Sequence, residues 1–159
     1  MTTASDAIAT ISLSAHDGIS MACDLGGEGK TLLLFIHGWT CRRTYWQPQL
    51  QYFSASWRVG APDLPGHGDT GVNGRTNWTV AGFGKDIAAC TRQIEAERVV
   101  LIGHSMGGAV ALEAARELNT RAAAVVLAGT FVIDYGGLDR ETAQQIAAPF
   151  ESDFNTAIA

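Results

Sequence analysis

Charge is scarce in this chain. Charged residues make up 17% of 159, against roughly 25% in an average domain. The balance is acidic, with 11 Lys and Arg against 16 Asp and Glu for a net charge of −5. No basic cluster is present, which argues against nucleic acid or an anionic membrane as partner. Cysteine is also sparse. Cys23, Cys41 and Cys90 are scattered and odd in number, so they read as free thiols in a reducing compartment rather than a disulfide framework. Neither they nor the four histidines fall at metal-ligand spacing, and no metal or cofactor is expected. No apolar run approaches the roughly 18 residues of a membrane span. The first residues lack the charged and apolar regions of a secretory signal, so the expectation is a soluble, cytoplasmic chain. Asn77-Trp78-Thr79 fits a glycosylation sequon, but without a secretory signal it carries no meaning.

What is present is apolar and patterned. Hydrophobic residues reach 47%, which excludes a disordered, collagen-like or coiled-coil chain. The length suits one domain with a sizeable core. Residues 8–15 and 19–25 alternate apolar and polar residues around the turn signal His16-Asp17-Gly18, predicting a strand hairpin. Residues 31–36 form the continuous apolar run of a strand covered on both faces. Further strands are expected at 57–61, 98–102 and 122–127. Helical spacing marks 43–55, 79–94 (with Thr79 as N-cap) and 107–118. Residues 63–74, rich in Gly, Pro and Asp, read as a long loop. Beyond Gly136-Gly137, residues 138–158 look helical with one break at Pro149. A hairpin followed by alternating strands and helices predicts an α/β fold, with a mostly parallel central sheet and helices on both faces. Chemistry in such sheets gathers at the carboxyl ends of the strands.

The strongest motif lies at one of those ends. Gly103-His104-Ser105-Met106-Gly107-Gly108 follows a strand and opens a helix. G-x-S-x-G in that setting is a nucleophile elbow. A sharp turn lifts the serine hydroxyl above the sheet, and the glycines remove side chains that would collide. The helix N-terminus beneath it offers donors to a developing oxyanion. His37-Gly38-Trp39 follows the 31–36 strand, where a second donor is needed. The expected oxyanion hole is the pair of backbone amides of Trp39 and Met106. Asp63-Leu64-Pro65-Gly66-His67-Gly68 reads as a loop at the site's rim, with no chemistry assigned.

In order and spacing these three segments resemble the α/β-hydrolase fold superfamily, over about residues 8–129. The resemblance implies that Ser105 is the nucleophile and that His37, Gly38 and His104 border the substrate pocket. It also implies an esterase, lactonase or related hydrolase of small carbonyl substrates. Trp39, Tyr45 and Trp46 would sit near the entrance and favour an apolar acyl or ring-bearing substrate.

The pattern breaks at the proton-handling residues. A serine hydroxyl needs an adjacent base, and in this family the chain order is serine, acid, histidine. No histidine follows Ser105. His16, His37, His67 and His104 all precede it, and no general base is identified. Gly129 occupies the strand-end position where some members carry the acid, which leaves Asp134 as the nearest candidate. The chain therefore reads as the amino-terminal part of such a fold, incomplete on its carboxy-terminal side. A partial core over 1–137 would be followed by the start of a helical lid over 138–159, with weak or no activity alone. The strand at 122–127 would then be an apolar sheet edge, which invites a homodimer. A non-catalytic ligand-binding protein on the same fold is the alternative, as is a cofactor-free oxygenase or haloperoxidase-like member. Two decoys fail: Gly66–Gly71 fits G-x-G-x-x-G but opens no helix, and Gly29-Lys30-Thr31 lacks the first glycine of a phosphate-binding loop.

Overall fold

The computed structural model describes residues 7–130, together with Glu141, Gln144, Gln145 and Ala148. Asp134 and all but those last four residues of the expected lid lie outside the described residues. Strands β1 (Ala9–Ser14) and β2 (Ser20–Gly26) form the hairpin, and β3 (Thr31–Ile36), β4 (Arg58–Pro62), β5 (Arg98–His104) and β6 (Ala122–Ala128) follow. They make one sheet in the order β1-β2-β4-β3-β5-β6. The β1–β2 and β2–β4 pairings are antiparallel and the others parallel. The α/β architecture with a mostly parallel sheet is thus present.

Strand β3 shows how the sequence sets the two faces. Leu32, Leu34 and Ile36 point to one side and pack with Ile87 of α2 (Val80–Gln93) and Val110 of α3 (Met106–Leu118). Leu33 and Phe35 point to the other and meet Leu50 of α1 (Gln47–Phe53). This is the two-residue period of a strand buried on both faces. Thr79 caps α2 as expected, its Oγ1 accepting from the Gly82 amide at 3.0 Å. The helix expected over 43–55 is shorter and split. A 3-10 turn occupies Arg43–Trp46 and α1 begins only at Gln47, with proline in its first turn, where a missing N–H costs nothing.

The chain runs from β3 to β4 in one direction, then crosses back to place β5 on β3's other side. The carboxyl ends of β3 and β5 therefore flank the switch point where open α/β sheets form their crevice. Strand β6 closes the order, and Val126 and Leu127 on it are 48% and 43% exposed. Its run of apolar residues predicts burial on both faces, but no described strand pairs with its outer edge.

Candidate active site

Ser105 is the residue between β5 and α3, with φ 52° and ψ −124°. A non-glycine residue rarely adopts positive φ, and the strain persists only where the surroundings enforce it. Here the Ser105 amide donates to the Ala128 carbonyl of β6 at 3.1 Å, and the Ser105 carbonyl accepts from Gly108 at 3.0 Å. The flanking glycines are required by contact. A Cβ on Gly103 would run into the Gly107 carbonyl, and one on Gly107 into the Ile36 carbonyl. On the β3 side Gly38 passes beneath the serine, where an added Cβ would lie 3.0 Å from Ser105 Cβ.

Ser105 opens onto a cavity of about 960 Å³. Two loops and the Ser105 turn build it, each leaving the carboxyl end of a strand. The β3 loop contributes Trp39 and Thr40 through Arg42, and the β4–α2 loop contributes Pro65, His67, Val72 and Trp78. Phe83 of α2 and Met106 and Ala109 of α3 complete it. Most of this lining is apolar. Met106 begins α3, so its amide belongs to the first turn, whose donors have no acceptor within the helix. It lies next to Ser105, and Trp39 lines the same cavity.

His37 and Gly38 do not line this cavity, and neither does His104. For His37 the reason is its hydrogen bonding. Its ring is 1% exposed, and Nε2 accepts from the Leu64 amide at 3.0 Å. Nδ1 must then carry the proton and donate to the Gly38 carbonyl at 2.8 Å. The imidazole staples the β3 loop to the β4 loop and has no lone pair left for Ser105. Burial pushes its pKa down to about 4, with His67 adding to that effect and the Gly38 bond and Asp63 opposing it. His104 is exposed on β5, its ring beside Gly38 and Gly129.

The four histidines are all among the described residues, and none hydrogen-bonds the Ser105 hydroxyl. His67 alone shares the cavity with it, and its Nδ1 donates to the Pro65 carbonyl at 3.1 Å. His16 is bound to Asp86 at the hairpin turn. Gly129, with φ 55°, follows β6 where an acid was sought. Tyr45 and Trp46, expected near the entrance, are elsewhere. Tyr45 is exposed and Trp46 packs on Phe35, ring centres 5.1 Å apart, beneath the opposite face of the sheet.

Sequence reasoning missed how the β4–α2 loop is held. Arg43 is buried among three carboxylates. Its Nε donates to Asp24 at 2.9 Å and Nη1 to Asp69 at 2.7 Å, while Nη1 also binds Asp63. The Arg43 amide donates to Asp63 Oδ1 at 2.6 Å, and the Asp69 amide donates to Asp63 Oδ2 at 2.9 Å. Burial opposes the guanidinium charge, but the bonds to Asp24, Asp69 and Asp63 outweigh it and raise its pKa. The Asp63-to-Asp69 run was the available signal, with two acids bracketing a turn. A second hub joins His16, Asp17 and Asp86, whose ligand atoms lie within 4.8 Å of one another. The Arg75 guanidinium already bonds both carboxylates there.

Comparison with known proteins agrees with this geometry. Residues 31–159 match the profile of the alpha/beta hydrolase fold family, and the chain belongs to that family. A dihydrolipoyllysine-residue acetyltransferase component of an acetoin cleaving system, from Cupriavidus necator, is 34% identical over 124 residues. The match covers 77% of this chain and 32% of that protein. The pimeloyl-[acyl-carrier protein] methyl ester esterase of Edwardsiella ictaluri is 35% identical over 89 residues, 56% of this chain and 32% of the esterase. Among solved structures, a thermophilic esterase from Thermogutta terrifontis with malate bound superposes with a TM-score of 0.75 at 30% identity. That superposition covers 92% of this chain and 54% of the esterase. The chain thus spans about a third of the length of these curated relatives. No helix among the described residues is long and apolar enough to cross a membrane.

Proposed function

We propose that this chain carries the nucleophile and oxyanion half of a serine hydrolase acting on a carboxylic ester or lactone with an apolar substituent. The observation that carries this reading is Ser105 itself, held at φ 52° immediately before α3 and facing an apolar cavity. Strain at a residue that also opens a cavity is where function concentrates. The Ser105 Oγ attacks the carbonyl carbon, and the charge that develops on the carbonyl oxygen is taken by the Met106 and Trp39 amides. Collapse expels the alcohol and leaves an acyl-serine, which water then cleaves. The esterases among the similar proteins support ester chemistry.

The Oγ proton needs an acceptor, and no histidine of this chain is bonded to it. An unassisted serine reacts slowly: loss of the base in a comparable triad costs about 10⁶-fold in turnover. Asp134 stands as the candidate acid in this reading. The test is labelling with a fluorophosphonate probe, with and without added imidazole. Expected is slow labelling that imidazole accelerates and that Ser105→Ala abolishes. Labelling that persists in Ser105→Ala, or its complete absence even with imidazole, overturns the reading.

A second reading has one specific observation in its favour. With no histidine at Ser105, the cavity can serve binding without turnover. Retained binding of apolar carboxylates by a protein whose Ser105 stays inert identifies that case. Three free cysteines support a cytoplasmic setting as part of the proposal. Exposed Val126 and Leu127 on β6 support self-association of the chain through that edge. Sedimentation should show a dimer or larger species that Val126→Lys reduces, and a compact monomer counts against it.

A further inference from the structure

The β4–α2 loop has no regular structure, yet it forms one whole side of the cavity. Arg75 braces it near its α2 end. Its guanidinium grips Asp86 of α2 with two bonds, Nη1 to Oδ2 at 2.6 Å and Nη2 to Oδ1 at 2.8 Å. Nε reaches Asp17 in the β1–β2 turn at 2.9 Å. Asp86 is fully buried and also holds His16 at 2.5 Å. The bonds to Asp86 raise the Arg75 pKa, and Asp17 adds to them against the opposing effect of burial. The guanidinium is therefore a fixed charge in a fixed place.

Trp78 lies against this anchor. The Arg75 guanidinium carbon is 5.6 Å from the centre of the Trp78 ring, within range of a cation–π contact. On its other sides the indole abuts Gly66, where an added Cβ would lie 3.3 Å from Cη2. It also packs on Phe83, ring centres 6.1 Å apart. Trp78 and Phe83 both line the cavity that holds Ser105. A bridge between the hairpin turn and α2 needs only Arg75 and the two acids. The indole adds a rigid, largely apolar wall that the same arginine orients.

We propose that Trp78 sets the size of the apolar group the cavity accepts, and that Arg75 is the positioning residue that holds it there. This rests on the reading that Ser105 acts on an ester bound in this cavity. The wall is built from residues 66–83. An apolar wall discriminates by about 10–200-fold per methylene of fit, enough for one side chain to decide chain-length preference.

The experiment is a series of p-nitrophenyl esters, from acetate to dodecanoate, tested on the unaltered protein and on Trp78→Ala, Trp78→Phe, Arg75→Met and Arg75→Lys. Circular dichroism confirms that each variant is folded. Trp78→Ala is expected to raise the long-to-short ratio of kcat/KM by about tenfold or more, chiefly through KM. Trp78→Phe should keep the ratio within about threefold. Arg75→Met should shift it in the same direction as Trp78→Ala, and Arg75→Lys should restore part of the preference. Scaling of all esters by one common factor in Trp78→Ala or Arg75→Met overturns the proposal. Turnover too slow to resolve the series is expected of a serine without its base, and the parent reading then stands or falls on fluorophosphonate labelling of Ser105. The wall is then tested by calorimetric binding of straight-chain carboxylates of the same lengths. A chain-length profile unchanged by Trp78→Ala overturns it there too.

Discussion

The β5–α3 turn and the β4–α2 loop line the same cavity, but different physics holds each in place. The turn is fixed by steric contact. Ser105 is forced to positive φ, and Gly103 and Gly107 sit where no side chain fits. The loop is fixed by charge, with Arg43 gathering Asp24, Asp63 and Asp69, and Arg75 gathering Asp17 and Asp86. The turn's own residues are contiguous, and Ile36 and Gly38 on the β3 side and Ala128 of β6 press against it. The loop draws on partners from β2, the β3 loop, the hairpin turn and α2. One can be broken by adding an atom, the other by removing a charge, and the two failures should look different.

The largest effect is expected from Gly107→Ala. Its new Cβ meets the Ile36 carbonyl of β3, which cannot move without breaking the sheet. A loss above about 4 kcal/mol should follow, visible as lost cooperativity in urea unfolding. Arg43→Met comes next. It leaves Asp24 and Asp63 buried without their partner, at a cost of about 3–5 kcal/mol. Adding Asp63→Asn should recover part of that loss, whereas no second substitution should rescue Gly107→Ala.

The staple between the β3 loop and the β4–α2 loop should respond to pH. Native His37 titrates near 4 and its ordinary value is 6.5. Between those values the unfolded chain takes up the proton first. The stability that neutral His37 contributes is therefore complete above 6.5 and is lost as pH falls toward 4. The slope is about 1.4 kcal/mol per pH unit. Equilibrium unfolding across that window should show it, and His37→Gln should flatten it. The smallest effect is a gain. Ser105→Gly relieves the positive φ and should stabilise by about 1 kcal/mol in thermal melts, while abolishing fluorophosphonate labelling. A destabilised Ser105→Gly would mean that the turn is not strained.

The same contrast explains what the sequence made legible. The elbow is contiguous, so a strand run followed by Gly103-His104-Ser105-Met106-Gly107 can be read directly. The Thr79 cap is also local and was visible for that reason. The Arg43 hub joins residues 24, 43, 63 and 69, and nothing in hydrophobic periodicity pairs positions so far apart. Trp46 was misplaced on similar grounds. Its aromatic character was plain, but which face of the sheet it covers depends on where the 3-10 turn hands over to α1. His37 was read as a pocket residue because its motif was right. That its ring turns inward depends on Leu64, which a different strand delivers. The β6 run was read as an apolar strand left at the sheet edge, and among the described residues no strand pairs with its outer side.

The inward turn of His37 has a spectroscopic consequence. Its Nδ1 proton is bonded to Gly38 and enclosed by two loops, so it should exchange with water only when those loops part. A proton NMR spectrum should show it as a separate downfield resonance at neutral pH. Because Gly38 underlies Ser105 on one side and Leu64 precedes the Trp78 wall on the other, that single line would report whether the two walls of the cavity are still joined. It would do so with no substrate, label or turnover.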